Sequence, residues 1–512
     1  MAPHLPPDGI AVEEIPGKPV VQEAAAEPCV IVIFGVTGDL SKRKLLPALY
    51  NLMADGALPE HFAVVGVSRG DMNTAELREQ LRRSTIERGR RFPDAATWEK
   101  FAASIEFVRG ATEDPTTYTR LKEQLAAIDR TKGTQQNRIF YLATPPEAFC
   151  DVVANLRRAG FIYRARTSAD EPFSRVVIEK PFGRDFASAQ ALNNLLAESL
   201  DESQTFRIDH YLGKETVQNI LVFRYANSIF EPIWNRKYVD YVEITAAETL
   251  GIEQRGAFYD KTGVFRDIVQ NHLLQVLALS AMEAPVSFGA DDVRNEKVQV
   301  LRSLRRVTEA SVSQDVVFGQ YDGYKREKDV APNSRIPTYA AMKVHIDNWR
   351  WHGVPFYLRA GKKLAAQLTE IAVHFQSVPR YLFTGIDDSQ AVASNVLRIR
   401  IQPDEGISLR FVAKVPGDHM SLGNVLMSMS YTHAFGKPLS EAYERLLLDC
   451  MRGDATLFAR RDEVEEAWKF VTPLLETWEK GRQEPEIYPS GGQGPAKAET
   501  LVRADGHELT PL

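Results

Sequence analysis

The sequence predicts two domains: an N-terminal α/β domain with a mostly parallel sheet, then a larger α+β domain with a mostly antiparallel sheet and packed helices. Three observations predict this. The chain has 512 residues, too many for one ordinary core. Over about residues 28–208, β-branched runs alternate with helical spacing, as in a parallel sheet. Beyond that, strands follow one another without a helix after each, as in an antiparallel sheet.

The first strand is CVIVIFGV at 29–36, a buried β-branched run closed by glycine. A helix follows in GVTGDLSKRKLLPALYNLMADG, where Leu40, Leu45, Leu49 and Leu52 recur at helical spacing. HFAVVGVSR is a second buried strand; RIFYLATPP and RVVIEKPFG are two more, each ending in a turn signal. Thr74–Arg88 and Thr116–Ile128 read as helices between them. In the second domain, Tyr238–Ala247, Ala340–Trp349, Glu370–Gln376, Val396–Gln402 and Gly406–Ala413 read as strands, with helices at Val264–Met282 and Ser440–Leu457 packed on one side. Residues 1–27 are rich in Pro, Ala and Glu and read as a disordered tail. The expected domains are 28–208 and 209–490, with 491–512 a flexible tail.

Composition excludes several classes. The formal net charge is −6 and no Lys/Arg-rich run occurs, which argues against a nucleic-acid partner. The longest apolar run is far too short to cross a bilayer. The first 28 residues carry five acids, one Lys and no Arg, unlike a signal or transit peptide. Three cysteines, none in a CxxC pair, argue against a disulfide framework or zinc site and for a reducing, cytoplasmic setting.

Gly35-Val36-Thr37-Gly38-Asp39-Leu40-Ser41 joins the first strand to the first helix. Such a turn brings backbone N–H groups and a helix N-terminus up to a pyrophosphate. The second strand ends in Ser68-Arg69, without the acid that holds a ribose 2′-hydroxyl; a guanidinium forks onto a 2′-phosphate. Arg69, with Thr37 as a hydroxyl donor, favours NADP over NAD.

Helix 264–282, VFRDIVQNHLLQVLALSAM, carries Asp267, Asn271, His272 and Gln275 among its apolar residues. Asp267 and His272 are five apart and diverge by about 140° on an α-helix. They can line one pocket but pair poorly. His272 needs a carboxylate from elsewhere to orient its ring, and Asp209 is the candidate. Lys180, in EKPFG, stands at the C-terminal end of a predicted parallel strand, where such sheets place ligand sites.

GVTGDLSKRKLLP, YLATPP, EKPFGRD, RIDHYLGKE, GVFRDIVQNHLLQ, IDNWRWHGVPFYLRAGK and IQPDEGI stand in this order. Together they resemble the glucose-6-phosphate dehydrogenase family over about residues 30–490. The resemblance implies a Rossmann-like domain and a sheet domain that pairs chains into homodimers or homotetramers. It implies oxidation of glucose 6-phosphate at C1 to the lactone, the entry step of the oxidative pentose phosphate pathway, with NADP as acceptor and no metal. It assigns His272 as general base and Asp209 as its partner. It assigns His210, Tyr211 and Lys214 to the phosphate; His210 and Lys214 are four apart, which predicts one helix face with Tyr211 beside them. Lys180, Glu248, Asp267 and Lys362 go to the sugar hydroxyls, with Lys180 also near the nicotinamide. Gly35, Thr37, Gly38, Asp39, Leu40, Arg69 and Tyr141 go to the dinucleotide. The sequence departs from the pattern at Gln367, where relatives often carry a basic substrate-binding residue. The alternatives are the same reaction with NAD preferred or both cofactors used, and a non-catalytic sugar-phosphate sensor.

Overall fold

The computed structural model describes residues 25–165, 168, 171–379, 394–436 and 440–512. Most of the tail expected at 1–27 lies outside the described residues.

Two sheets organise the chain. The first has seven strands: β1 (Cys29–Phe34), β2 (Phe62–Ser68), β3 (Ile105–Arg109), β4 (Arg138–Leu142), β5 (Ser174–Glu179), β6 (Thr205–Ile208) and a late short strand, Phe458–Ala459. The order is β3-β2-β1-β4-β5-β6, all parallel, with Phe458–Ala459 antiparallel on β6. This is the doubly wound order, whose switch point lies between β1 and β4. The sequence pattern explains why β1 is apolar throughout. Val30, Val32 and Phe34 enter one core; Cys29, Ile31 and Ile33 enter the other. A strand with period 2 and both faces covered has no polar side.

The second sheet holds β7 (Val239–Ala247), β8 (Val316–Tyr321), β9 (Tyr339–His345), β10 (Pro355–Gly361), β11 (Leu368–Phe375), β12 (Val396–Gln402), β13 (Gly406–Lys414) and β14 (Leu422–Ser430), with Phe458–Ala459 counted as β15 of the chain and β16 (Glu486–Tyr488) at the far edge. Its order is β14-β13-β12-β11-β7-β10-β9-β8-β16. It is antiparallel except for β7–β10 and β8–β16. Strands β8, β10, β14 and β16 escape the sequence reading, and the strand expected at Ala340–Trp349 stops at His345 because a turn follows.

Three expectations are corrected. The domain boundary is not a single cut at 208, because the chain returns late to the first sheet. Helix Ala442–Arg452 and β15 bury Tyr443, Leu446, Leu447, Cys450, Met451 and Phe458 with Leu46, Leu49 and Phe206. Residues 491–512 are not a loose tail. They form a helix at Ala496–Arg503, which buries Ala498, Leu501 and Val502 on the outer face of the second sheet. Helices therefore cover both faces rather than one. Beyond that helix, Thr510 donates its N–H to Glu243 at 2.9 Å and accepts from Arg359 at 2.8 Å. The Gly/Ser-rich residues before the helix hid this, since composition does not register a covering partner.

The expected helix Val264–Met282 is also not a plain α-helix. Gly256–Val264 is α-helical, with a kink at Gly263 (φ +63); Phe265–Leu273 is a π-helix; Leu274–Ala281 returns to α.

Candidate active site

The site collects the carboxyl ends of strands from both sheets. Lys180 follows β5, Asp209 follows β6, Glu248 follows β7 and Lys362 follows β10. The π-helix faces them with Asp267 and His272.

The π-register overturns the expected divergence. Its i→i+5 bonding brings residues five apart onto one face. Lys180 bridges the two: its Nζ lies 3.0 Å from His272 Nε2, 3.4 Å from Asp267 Oδ1 and 2.7 Å from the Asp267 carbonyl. On the other side of the ring, His272 Nδ1 meets Asp209 Oδ1 at 2.5 Å. Asp209 is fixed in turn by the Tyr211 N–H at 2.9 Å, and the Tyr211 ring stacks on His272 at 4.1 Å. Asp209 and His272 are only 2% and 1% exposed.

Burial drives the His272 pKa below its ordinary value, against the raising effect of Asp209; Lys180 pushes the same way as burial. The neutral ring therefore carries a proton on Nδ1, held by Asp209, and a lone pair on Nε2. Burial would raise the Asp209 carboxyl, but His272, His210 and Lys180 together hold it below the carboxylate range. Asp267 likewise falls to about 2, with burial opposed first by Lys180 and then by Lys362. Lys362 Nζ donates to Glu248 Oε2 at 2.7 Å and lies 3.8 Å from Asp267 Oδ2. A continuous polar row results: Asp209, the neutral His272, then the alternating charges of Lys180, Asp267, Lys362 and Glu248.

A polar cleft of about 400 Å³ adjoins this row, lined by His210, Lys214, Gln402, Glu405, Glu441, Lys44 and Tyr443 among others. His210 and Lys214 do not share a helix face. They flank a turn, and Lys214 is the residue before helix Glu215–Tyr225. The Gly213 turn nevertheless points both into one cleft. Burial lowers the Lys214 amine to about 8, and its Nζ donates to Gln402 Oε1. Burial, then the neighbouring His272 and Lys180, takes His210 well below an ordinary histidine, so it meets a ligand as a neutral ring. Tyr211 lies deeper, its hydroxyl 3.4 Å from Thr369 Oγ1. Gln367 is exposed before β11 and does not line the cleft.

The second feature is a crevice of about 660 Å³ at the carboxyl ends of β1–β4. Gly35, Thr37, Gly38 and Arg69 line it, with Thr112, Glu113 and Thr144, which the sequence reading missed. A dinucleotide fits this crevice on two observations. Gly35 has φ +84, and a Cβ there would meet the Ala143 carbonyl at 2.5 Å, so the turn stays narrow only with glycine. Thr144 Oγ1 is buried there without a partner. Four expected contacts do not line the crevice; Lys180 is one, held between His272 and Asp267. Asp39 faces outward and pairs with Arg43 at 2.7 Å. Leu40 packs against the core. Tyr141 is fully buried, and its hydroxyl donates to Glu179 Oε1 at 2.5 Å. The alternation of β4 turns Tyr141 away from the crevice.

Among the described residues, Asp209, His210 and His272 are the one group whose donor atoms lie close enough together to hold a metal. The Lys180 ammonium 3.0 Å from Nε2 disfavours a further cation there. No helix among the described residues is long and apolar enough to cross a membrane.

A doubly wound domain with a glycine-turn crevice, in one chain with a buried His–Asp pair at the end of β6, defines an oxidoreductase with a Rossmann-like NAD(P)-binding domain. Comparison with known proteins narrows the class. Residues 32–219 match the model for the glucose-6-phosphate dehydrogenase NAD binding domain, and 221–510 match the model for its C-terminal domain. The chain is 44% identical over 498 residues to glucose-6-phosphate 1-dehydrogenase of Chlamydia pneumoniae, covering 95% of this chain and 96% of that protein. It is 43% identical over 490 residues to the enzyme of the same name from Mycolicibacterium smegmatis, covering 94% and 97%. A solved glucose-6-phosphate dehydrogenase in complex with its substrate glucose-6-phosphate matches with a TM-score of 0.86 at 35% identity, covering 96% of this chain and 100% of that one. The glucose-6-phosphate 1-dehydrogenase structure from Mycobacterium avium matches with 0.82 at 36%, covering 95% and 99%. The chain belongs to the glucose-6-phosphate dehydrogenase family.

Proposed function

We propose that this protein oxidises glucose 6-phosphate at C1 to the lactone with NADP+ as acceptor, the entry step of the oxidative pentose phosphate pathway. One observation carries the reading. The buried His272 has Nδ1 on Asp209 and a lone pair on Nε2, and its ring stands edge-on, 4.6 Å away, to His210, which lines the polar cleft. A bound nicotinamide dinucleotide supplies the hydride acceptor.

His272 takes the proton of the C1 hydroxyl at Nε2, the atom that now accepts from Lys180. Asp209 stabilises the imidazolium that forms and keeps the ring oriented. Lys180, Asp267, Lys362 and Glu248 offer alternating donors and acceptors that suit neighbouring sugar hydroxyls. Lys214, with the neutral His210, holds the phosphate; each charged hydrogen bond contributes about 1.5–3 kcal/mol. That energy arises far from C1, so it orients the reacting carbon. Arg69 lines the crevice, and no acid ends β2, which supports preference for a 2′-phosphate. Edge strand β14 leaves Val425, Leu426 and Met427 41–59% exposed, which supports a homo-oligomeric enzyme. The proposed setting is cytoplasmic.

The test is absorbance of the reduced nicotinamide with glucose 6-phosphate and either cofactor. NADP+ should give the faster rise, and His272→Asn should lower kcat by about 10²–10⁴-fold. Arg69→Ala should erode the preference for NADP+. Sugar-phosphate binding without turnover would favour a sensor instead.

A further inference from the structure

Glu179 ends β5, one residue before Lys180, and the proposed chemistry does not use it. Its carboxyl is held from two sides. Tyr141 on β4 donates to Oε1 at 2.5 Å, and Tyr443, from the late-returning helix Ala442–Arg452, donates to the same oxygen at 3.2 Å. The tyrosines are 0% and 8% exposed. The Tyr443 ring lies parallel to His210, with centroids 6.4 Å apart, and His210 stands edge-on to His272 at 4.6 Å. Glu179 thus reaches the base by two routes, through Lys180 and through Tyr443 and His210.

The groups that act on Glu179 come from every neighbouring element. They are Lys180 at its own strand end, Asp209 after β6, and the phenols of Tyr141 and Tyr443, with Cys450 behind Tyr141. Burial pushes the Glu179 carboxyl up, to about 7, while the two hydroxyls and Lys180 pull it down.

We propose that Glu179 is a positioning residue for the reaction: its charge, held by Tyr141 and Tyr443, balances the Lys180 ammonium and so governs how readily His272 takes a proton. This rests on His272 being the base. An ammonium 3.0 Å from Nε2 opposes a proton arriving there. An ionised Glu179 beside that lysine offsets the opposition, and a protonated one does not. The rate therefore rises as pH rises through the titration of Glu179. Tyr443 also lines the Lys214 cleft, so the clamp links the phosphate end of the site to the base.

The experiment compares the full-length protein with Glu179→Gln and Tyr443→Phe in two readouts. One is the kcat–pH profile with glucose 6-phosphate and NADP+. The other is an NMR titration of histidine-labelled protein, with His272 signals identified by their loss in His272→Asn. Gln keeps an oxygen for both hydroxyls but carries no charge. Glu179→Gln should lose the near-neutral ionisation, lower kcat by up to about tenfold, the size of a one-unit change in base strength, and make His272 titrate at lower pH. Tyr443→Phe removes one donor, so the same ionisation should move to higher pH. If Glu179→Gln keeps the wild-type profile and the wild-type His272 titration, the proposal is overturned. If that variant does not fold, an unmoved ionisation and an unmoved His272 titration in Tyr443→Phe overturn it equally. A shifted His272 titration in a protein that never oxidises glucose 6-phosphate would uphold the Glu179 linkage and overturn the functional reading.

Discussion

Asp209→Asn isolates the charge that faces the base. The substitution keeps the volume and one acceptor oxygen, so the Tyr211 N–H bond to this side chain survives. It deletes the negative charge whose oxygen lies 2.5 Å from His272 Nδ1. With charge centres about 4 Å apart and an effective dielectric of about 20, that charge stabilises a full imidazolium by about 4 kcal/mol. A proton about half transferred at the transition state retains about 2 kcal/mol of this, or about 30-fold in kcat. An amide that turns its NH2 toward Nδ1 would impose the wrong tautomer and increase the loss. KM for glucose 6-phosphate should change little, because Asp209 does not line the Lys214 cleft. The acid limb of kcat/KM should move to lower pH, since Asp209 raises the proton affinity of His272. Initial rates of nicotinamide reduction across pH measure all three. A kcat within threefold of wild type, or an acid limb displaced upward, would refute the assignment of Asp209.

Three further outcomes follow from other parts of the molecule. The Lys214 amine titrates at about 8, so its charge is complete below that pH and is lost as pH rises through it. KM for glucose 6-phosphate should climb above pH 8, and Lys214→Met should raise it by about 10–100-fold at neutral pH, the loss of one charged hydrogen bond; steady-state kinetics checks both. Gly35→Ala forces a side chain into a positive-φ turn, 2.5 Å from the Ala143 carbonyl. It should weaken dinucleotide binding by calorimetry and cost about 1–3 kcal/mol of stability. Truncation before Ala496 removes the apolar cover of Ala498, Leu501 and Val502 and strips Thr510 from Glu243 and Arg359. The melting temperature should fall by several degrees, with exposed apolar surface detected by dye binding; an unchanged melting curve would return this segment to a loose tail.

Much of the first domain is legible in sequence because its signals are local. CVIVIFGV announces a strand buried on both faces, and Thr74–Arg88 matches its helix to the residue. The glycine turn is legible because only glycine tolerates the positive φ that the crevice demands at position 35. The second sheet is less legible. Strands β8, β10 and β16 each pair with a strand distant in the chain, and β-propensity reflects that context; edge strand β14 is missed although it pairs with the adjacent β13. Tyr141 shows the same limit at the site: YLATPP identifies the strand end, but the pleat decides which side chains face the crevice.

The sequence alone determined the chemical inventory: two imidazoles, three carboxylates and three amines, at strand ends, in a turn or on one helix. It also determined several elements of the first domain, since periodicity and glycine act within a few residues. Tertiary structure decided which groups meet. Lys180, Asp209, Glu248 and Lys362 leave four different strands, and nothing local says that those strand ends converge. The π-register at Phe265–Leu273 turned Asp267 and His272 to one face, although the same residues fit an α-helix by composition. Tertiary structure also sent Tyr443 back to clamp Glu179 and laid the C-terminal helix on the outer sheet. Periodicity records that a face is buried; only packing decides what buries it.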